Sequence, residues 1–245
     1  MIYVKNNEEI ERMRRAGKIV GDLLKYLEEK IRIGMRTDEL DKLAYEFITS
    51  RGARPSFFGY GGFPASVCIS IDEQVVHGFP SERTIMEGEI VSVDVGAELD
   101  GFHGDAARSF ILGDGFEDKK RLIAVTKECF FKGLDAVVEG AAIGDIGYAV
   151  QDYAEKNGYS VVREMVGHGI GRHLHEDPNV PNYGKRGVGA RLKKGMAIAI
   201  EPMINMGAKE VIIDGWKCVT RDGKPSAHYE NTVVLTDNGA EILTL

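Results

Sequence analysis

The stretch Ile85-Met-Glu-Gly88-Glu-Ile-Val-Ser-Val-Asp94 has a counterpart 107 residues further on, Leu192-Lys-Lys-Gly195-Met-Ala-Ile-Ala-Ile-Glu201. Each copy runs from an apolar residue through a glycine turn into an apolar strand that ends on a carboxylate. A second pair lies upstream. Ile33-Gly34-Met-Arg-Thr-Asp38-Glu-Leu40, followed by Ala44, Ile48 and Gly52, matches Glu139-Gly140-Ala-Ala-Ile-Gly-Asp145-Ile146, followed by Val150, Ala154 and Gly158, at an offset of 106. One long period repeated twice means two similar halves, since a solenoid would need a shorter and more frequent unit.

Working outward, Ile10, Met13, Gly17, Val20, Leu24, Leu27 and Ile31 fall at alternating steps of three and four, which predicts an amphipathic helix over residues 8–31. A second helix is expected over Thr37–Ser50. Thr37 or Asp38 offers a cap, Leu40, Leu43, Ala44, Phe47 and Ile48 make its face, and Gly52 stops it. A third, near Lys119–Val138 with Leu122, Val125, Cys129 and Leu134, stands where the first stood. Two helices followed by antiparallel strands in each half predict a duplicated α+β fold with an approximate internal twofold axis. No Pro/Gly/Ser linker separates residues 1–115 from 116–245, so a single domain over 1–245 is expected.

Composition agrees with a globular chain: 43% hydrophobic and 28% charged residues in 245. The net charge of −7 argues against a nucleic-acid partner, DNA included. No window approaches the roughly 18 apolar residues of a membrane span, and the first residues lack the apolar run of a signal peptide. A cytoplasmic, membrane-free protein is expected, with a monomer as the default. Cys68, Cys129 and Cys218 are odd in number and far apart, and read as three reduced thiols.

The carboxylates carry the chemistry. Period two places Val91, Val93 and Val95 on one strand face and Ser92 and Asp94 on the other. The chain turns near Glu98-Leu-Asp-Gly101 and returns through Asp105. A hairpin centred between Leu99 and Asp100 sets Asp94 opposite Asp105; centred one residue later, the two are diagonal neighbours. In the second half Glu201 occupies the matching place, and the strand His228-Tyr-Glu230-Asn-Thr-Val-Val brings a fourth acid. Like charges about 4 Å apart repel by roughly 4 kcal/mol at an effective dielectric of 20, so such a cluster must protonate or hold cations. His168, between the glycines of Gly167-His168-Gly169, is the chosen imidazole ligand. Four acids and one imidazole suit two divalent ions, Mn²⁺, Fe²⁺, Co²⁺ or Zn²⁺, and hydrolysis through a bridging water or hydroxide.

These residues carry a resemblance. Val76-His77-Gly78, Ser92-Val-Asp94-Val-Gly, His103-Gly-Asp105-Ala-Ala-Arg108, Gly167-His168-Gly-Ile-Gly171, His175-Glu-Asp-Pro178, Ile200-Glu201-Pro-Met203 and Tyr229-Glu230-Asn-Thr232 resemble, in order and spacing over nearly the whole chain, the motifs of type I methionine aminopeptidases. The resemblance implies the duplicated pita-bread fold and removal of the initiator methionine, with a small second residue preferred. It implies nascent polypeptide N-termini as partners, met near the ribosome exit tunnel. Carried over, Asp94 corresponds to the bidentate ligand of one metal, Asp105 and Glu230 to the bridges, and His168 and Glu201 to the ligands of the other. Glu201 also corresponds to the general base, and His77 and His175 to the catalytic histidines that contact substrate.

The resemblance further places Tyr60, Phe63, Cys68, Leu174 and Trp216 around an apolar pocket for the methionine side chain, whose thioether suits aromatic walls. Leu174 and Phe57 depart from the residues many relatives carry there, aromatic and cysteine respectively. His103, His173 and His228 read as ordinary polar-face or loop histidines. Two alternatives compete: an Xaa-Pro aminopeptidase or dipeptidase of the same fold, and a noncatalytic peptide-binding module.

Overall fold

The computed structural model describes residues 1–245. The chain runs α1 (Asn7–Lys30), α2 (Thr37–Thr49), β1 (Arg54–Pro55), β2 (Val67–Ile71), β3 (Gln74–Val76), β4 (Ile90–Leu99) and β5 (Phe102–Ile111). It continues α3 (Glu117–Asp135), α4 (Ile143–Lys156), β6 (Ser160–Val161), β7 (Gly167–Gly169), β8 (Glu176–Val180), β9 (Ala197–Ile200) and β10 (Met203–Asn205). It closes with β11 (Val211–Asp214), β12 (Lys217–Thr220), β13 (Ser226–His228), β14 (Asn231–Thr236) and β15 (Gly239–Ile242). Every strand pairing is antiparallel. None of the helices is long and apolar enough to cross a membrane.

The helices form where the apolar spacing predicts. Six of the seven stripe residues are buried on α1 and the seventh, Ile31, is buried as its C-cap; the start of the helix is fixed by a reciprocal cap between Asn6 and Glu9. The cap of α2 differs from the expected one. Arg36 takes that place, its N–H bonded to the Glu39 carboxylate, while the Thr37 hydroxyl donates to Ser81 O. α3 spans Glu117–Asp135 and stops short of Val138, because the chain must turn before Gly140.

The duplication is visible in backbone detail. Gly34 and Gly140 both have positive φ, and so do Gly52 and Gly158, and Gly88 and Gly195. Gly34 N–H donates to Ile85 O as Gly140 N–H donates to Leu192 O. The isolated bridge Arg36–Thr84 recurs as Ala142–Arg191. Glu39 caps Arg36 as Asp145 caps Ala142. L-residues with side chains are disfavoured at positive φ, so the shared glycines are shared turns.

The two halves build equivalent layers. In the first, α1 and α2 cover the valine face of β4, with Val91, Val93 and Val95 in one cluster with Leu23, Leu27 and Ile48. In the second, Phe130, Ile143 and Ile146 from α3 and α4 pack on Ile198, Ile200 and Val233. The larger sheets, β1-β4-β2 with β5 paired to β4 and β15-β14-β9-β7-β8, thus turn their remaining faces toward a common centre.

Candidate active site

Asp94 and Asp105 face this centre from the β4–β5 hairpin. Its register pairs Asp94 with Ala107 and Gly96 with Asp105, so the turn is centred between Asp100 and Gly101. Both turn residues have positive φ, 52° and 79°. The acids are therefore diagonal neighbours, the later of the two expected registers.

Hydrogen bonds between the halves hold the other acids against this hairpin. Thr232 Oγ1 accepts from Asp105 N–H at 3.0 Å and donates to Asp105 O at 2.9 Å. Ala107 and Glu230 exchange backbone bonds. Arg108 donates to Glu230 O at 2.6 Å and to Asn231 Oδ1 at 2.7 Å. The single strand expected from His228 through Glu230 is instead broken: β13 ends at His228 and β14 begins at Asn231. The reason lies across the ladder, where Pro202, which has no N–H, separates β9 from β10. His228 pairs with Met203, and Asn231 with Ile200. Both strands jog at one level, and Glu201 and Glu230 sit at the two jogs.

His168 enters from β7. A Cβ at Gly167 would meet Ala199 O at 2.4 Å, and one at Gly169 would meet Asp177 O at 2.1 Å, so both flanking glycines are required by close approach. His168 Nδ1 donates to Gly169 O at 2.9 Å. That bond leaves the Nε2 lone pair free, 3.7 Å from Asp105 Oδ2 and 3.7 Å from Glu201 Oε1.

The electrostatics follow from burial. Asp105, Glu201 and Glu230 are held well above the usual carboxylate range, first by loss of water and then by each other or by Asp94. Burial pushes Asp94 up to about 7. Burial also lowers His168 to about 3 and His77 to about 4, keeping both imidazoles neutral. Asp94 Oδ1, Asp105 Oδ1 and Glu230 Oε1 are buried with no hydrogen-bond partner. Unpartnered buried carboxylate oxygens are costly, and a divalent cation satisfies several at once. Donor atoms of Asp105, His168 and Glu230 lie within 4.8 Å of one another, and so do those of Asp94, His228 and Glu230. The residues fit divalent metal. Cys68 stands opposite Asp94 across β2 and β4, and burial pushes its thiol pKa well up.

The acids open onto a pocket that also takes in Tyr60, Phe63, Cys68, His77, Leu174, His175 and Trp216, together with Phe57. Phe63 packs edge-on to Trp216, with ring centroids 5.4 Å apart, and His77 meets the same indole at 5.7 Å. His77 has φ 60°, a conformation uncommon for a residue with a side chain. Tyr60 is half-exposed at the mouth, its hydroxyl sharing a 2.7 Å hydrogen bond with His175 Nδ1. The His175 ring lies 4.2 Å from that of His168.

Of the three histidines set aside from sequence, His103 bonds Ser56 and lies outside this pocket, as does His173. His228 does not fit the ordinary reading. Its ring is buried against Glu201 and Glu230, at 3.7 and 3.8 Å. The available signal was its spacing of two from Glu230.

Residues 11–237 match the family described as Metallopeptidase family M24. The chain is 55% identical over its whole length to the methionine aminopeptidase of Clostridium perfringens, covering 99% of that protein. It superposes with a TM-score of 0.98 on the crystal structure of methionine aminopeptidase from Rickettsia prowazekii, at 44% identity and with both chains fully covered. Prolidase from Pyrococcus furiosus shares the fold, with a TM-score of 0.82 at 24% identity, over 99% of this chain and 65% of that one. The architecture is thus the pita-bread α+β fold. A match that begins in α1 and ends just past β14, on a backbone that keeps its glycine turns and its convergent acids, assigns the chain to metallopeptidase family M24.

Proposed function

We propose that this chain is a methionine aminopeptidase, a metal-dependent hydrolase that removes the initiator methionine from nascent polypeptides and prefers a small second residue. One observation carries the reading: the apolar pocket formed by Phe63, Cys68, Leu174 and Trp216 opens directly onto the buried carboxylates. An unbranched thioether side chain fits such a wall, and a peptide anchored there presents its first peptide bond to the acids. Tyr60 and His175, joined by their hydrogen bond, stand at the mouth where the second residue passes. Their crowding favours a small one.

In this reading Asp94, Asp105, His168, Glu201 and Glu230 would hold two divalent ions drawn from Mn²⁺, Fe²⁺, Co²⁺ or Zn²⁺. When bound, such ions acidify water and polarise the scissile carbonyl. Glu201 takes the proton from the attacking water as the carbon–oxygen bond forms and returns it to the departing amine as the carbon–nitrogen bond breaks. His77 and His175, their pKa values lowered by loss of water, donate N–H groups to the substrate backbone and to the oxygen on which charge develops. The half-exposed Tyr60 positions His175. The enzyme works as a cytoplasmic monomer of one domain, near the ribosome exit.

A peptide panel on metal-reconstituted protein tests this. Met-Ala peptides are cleaved, Met-Leu peptides are cleaved far more slowly, and Xaa-Pro peptides lacking Met are not cleaved. Cleavage confined to bonds before proline would overturn the assignment.

A further inference from the structure

We propose that His228 is a direct metal ligand, its Nε2 supplying the Asp94 side of the cage with the imidazole donor that His168 supplies on the Asp105 side. The proposal rests on the dinuclear reading above and adds a sixth protein ligand to it.

The side chain is 2% exposed, and its Nε2 is buried without a hydrogen-bond partner. A histidine buried for packing normally finds a partner for each ring nitrogen. Here Nε2 faces Glu201 Oε2 at 3.7 Å and Glu230 Oε2 at 3.8 Å. Those separations are too long for hydrogen bonds, which close at about 2.7–3.2 Å. They suit two donors sharing one ion, because ligands each about 2.0–2.2 Å from zinc are held several ångströms apart. Donor atoms of Asp94, His228 and Glu230 come within 4.8 Å of one another, as do those of Asp105, His168 and Glu230. Glu230 is common to both groups, and each group has one imidazole.

The backbone explains why the ring is held there. His228 N–H donates to Ser109 Oγ at 2.9 Å, and that hydroxyl lies 2.9 Å from His228 O and 2.7 Å from Ser92 Oγ. Ser92 and Asp94 share a face of β4, so His228 is pinned to the strand that carries its proposed co-ligand. An imidazole at each position biases both toward borderline ions such as Zn²⁺ and Co²⁺ and away from Mg²⁺ and Ca²⁺.

The test is a crystal structure of the Zn²⁺-loaded wild-type chain, together with calorimetric Zn²⁺ titrations of wild type, His228→Gln and His228→Ala. The expected structure places Nε2 about 2.0–2.1 Å from one ion. In the titrations, one of the two binding steps weakens more than roughly 100-fold in both variants, beyond the 10–100-fold typical of losing an outer-shell partner. The other step changes little. Nε2 more than about 3 Å from every ion, or two unaltered binding steps in both variants, would overturn the proposal. The wild-type structure decides the matter even where a variant fails to fold. Wild-type protein that takes up no zinc overturns the dinuclear reading itself, and this proposal with it.

Discussion

At the scale of single residues, the site depends on acids that are tolerable together only when something positive lies between them. On the proposed function, Asp105→Ala or Glu230→Ala removes a carboxylate that would hold metal, so each is expected to lose metal and turnover together, as metal analysis of the dialysed variant would show. Glu201→Gln keeps an oxygen donor but cannot accept the proton. It should retain part of the metal while kcat falls roughly 10²–10⁴-fold, and an unchanged kcat would remove Glu201 from the base role. Tyr60→Ala deletes the His175 partner at the mouth, so KM for Met-Ala peptides should rise about tenfold with bound metal unaltered. The acids and His168 were legible because strand alternation, repeat position and flanking glycines all pointed to them. The place of His228 beside Glu201 and Glu230 was not, because the sequence reads it as an ordinary polar-face or loop histidine and its position depends on the break between β13 and β14.

At the scale of elements, two glycines set the position of the catalytic hairpin. A Cβ at Gly104 on β5 would meet Gly17 Cα of α1 at 2.8 Å, and a Cβ at Gly17 would meet Leu243 O at 2.3 Å. Helix α1 therefore lies directly on the strand that carries Asp105. Gly104→Ala is expected to cost about 1–3 kcal/mol through overpacking, seen as a lower midpoint in urea with an unchanged slope. A neutral result would mean that α1 shifts away at no cost. Helix spans were readable within a few residues from apolar spacing, since the stripe and the buried face are the same property. The hairpin register was readable only to one residue, because Asp100 and Gly101 both accept the positive φ on which the choice depends. The cap of α2 eluded sequence, since Arg36 contributes only its backbone N–H.

At the scale of the molecule, the duplication places four carboxylates in one interior, and this interior is stabilised differently with and without ions. For the metal-free chain Asp94, Asp105, Glu201 and Glu230, whose folded pKa values are raised, act against His77, His168 and His228, whose values are lowered, and the four acids set the sign. Acids of this kind add stability fully below their ordinary pKa of about 4 and lose it as pH rises through the raised values, about 7 for Asp94. Chelator-treated protein should thus melt several degrees lower at pH 8 than at pH 5.5, and divalent metal at pH 8 should restore the loss. A metal-free melting temperature that rises over this interval would contradict the burial of charge described here. The twofold plan itself was legible, because paired glycines such as Gly34 and Gly140 are demanded by the same positive-φ turn in each half.

The most direct test of the paired-ion centre is the rate of methionine release from a Met-Ala peptide by exhaustively chelated protein, followed as Co²⁺ or Mn²⁺ is added back. The account predicts no release without metal and full recovery by two equivalents per chain; undiminished release from metal-free protein would contradict it.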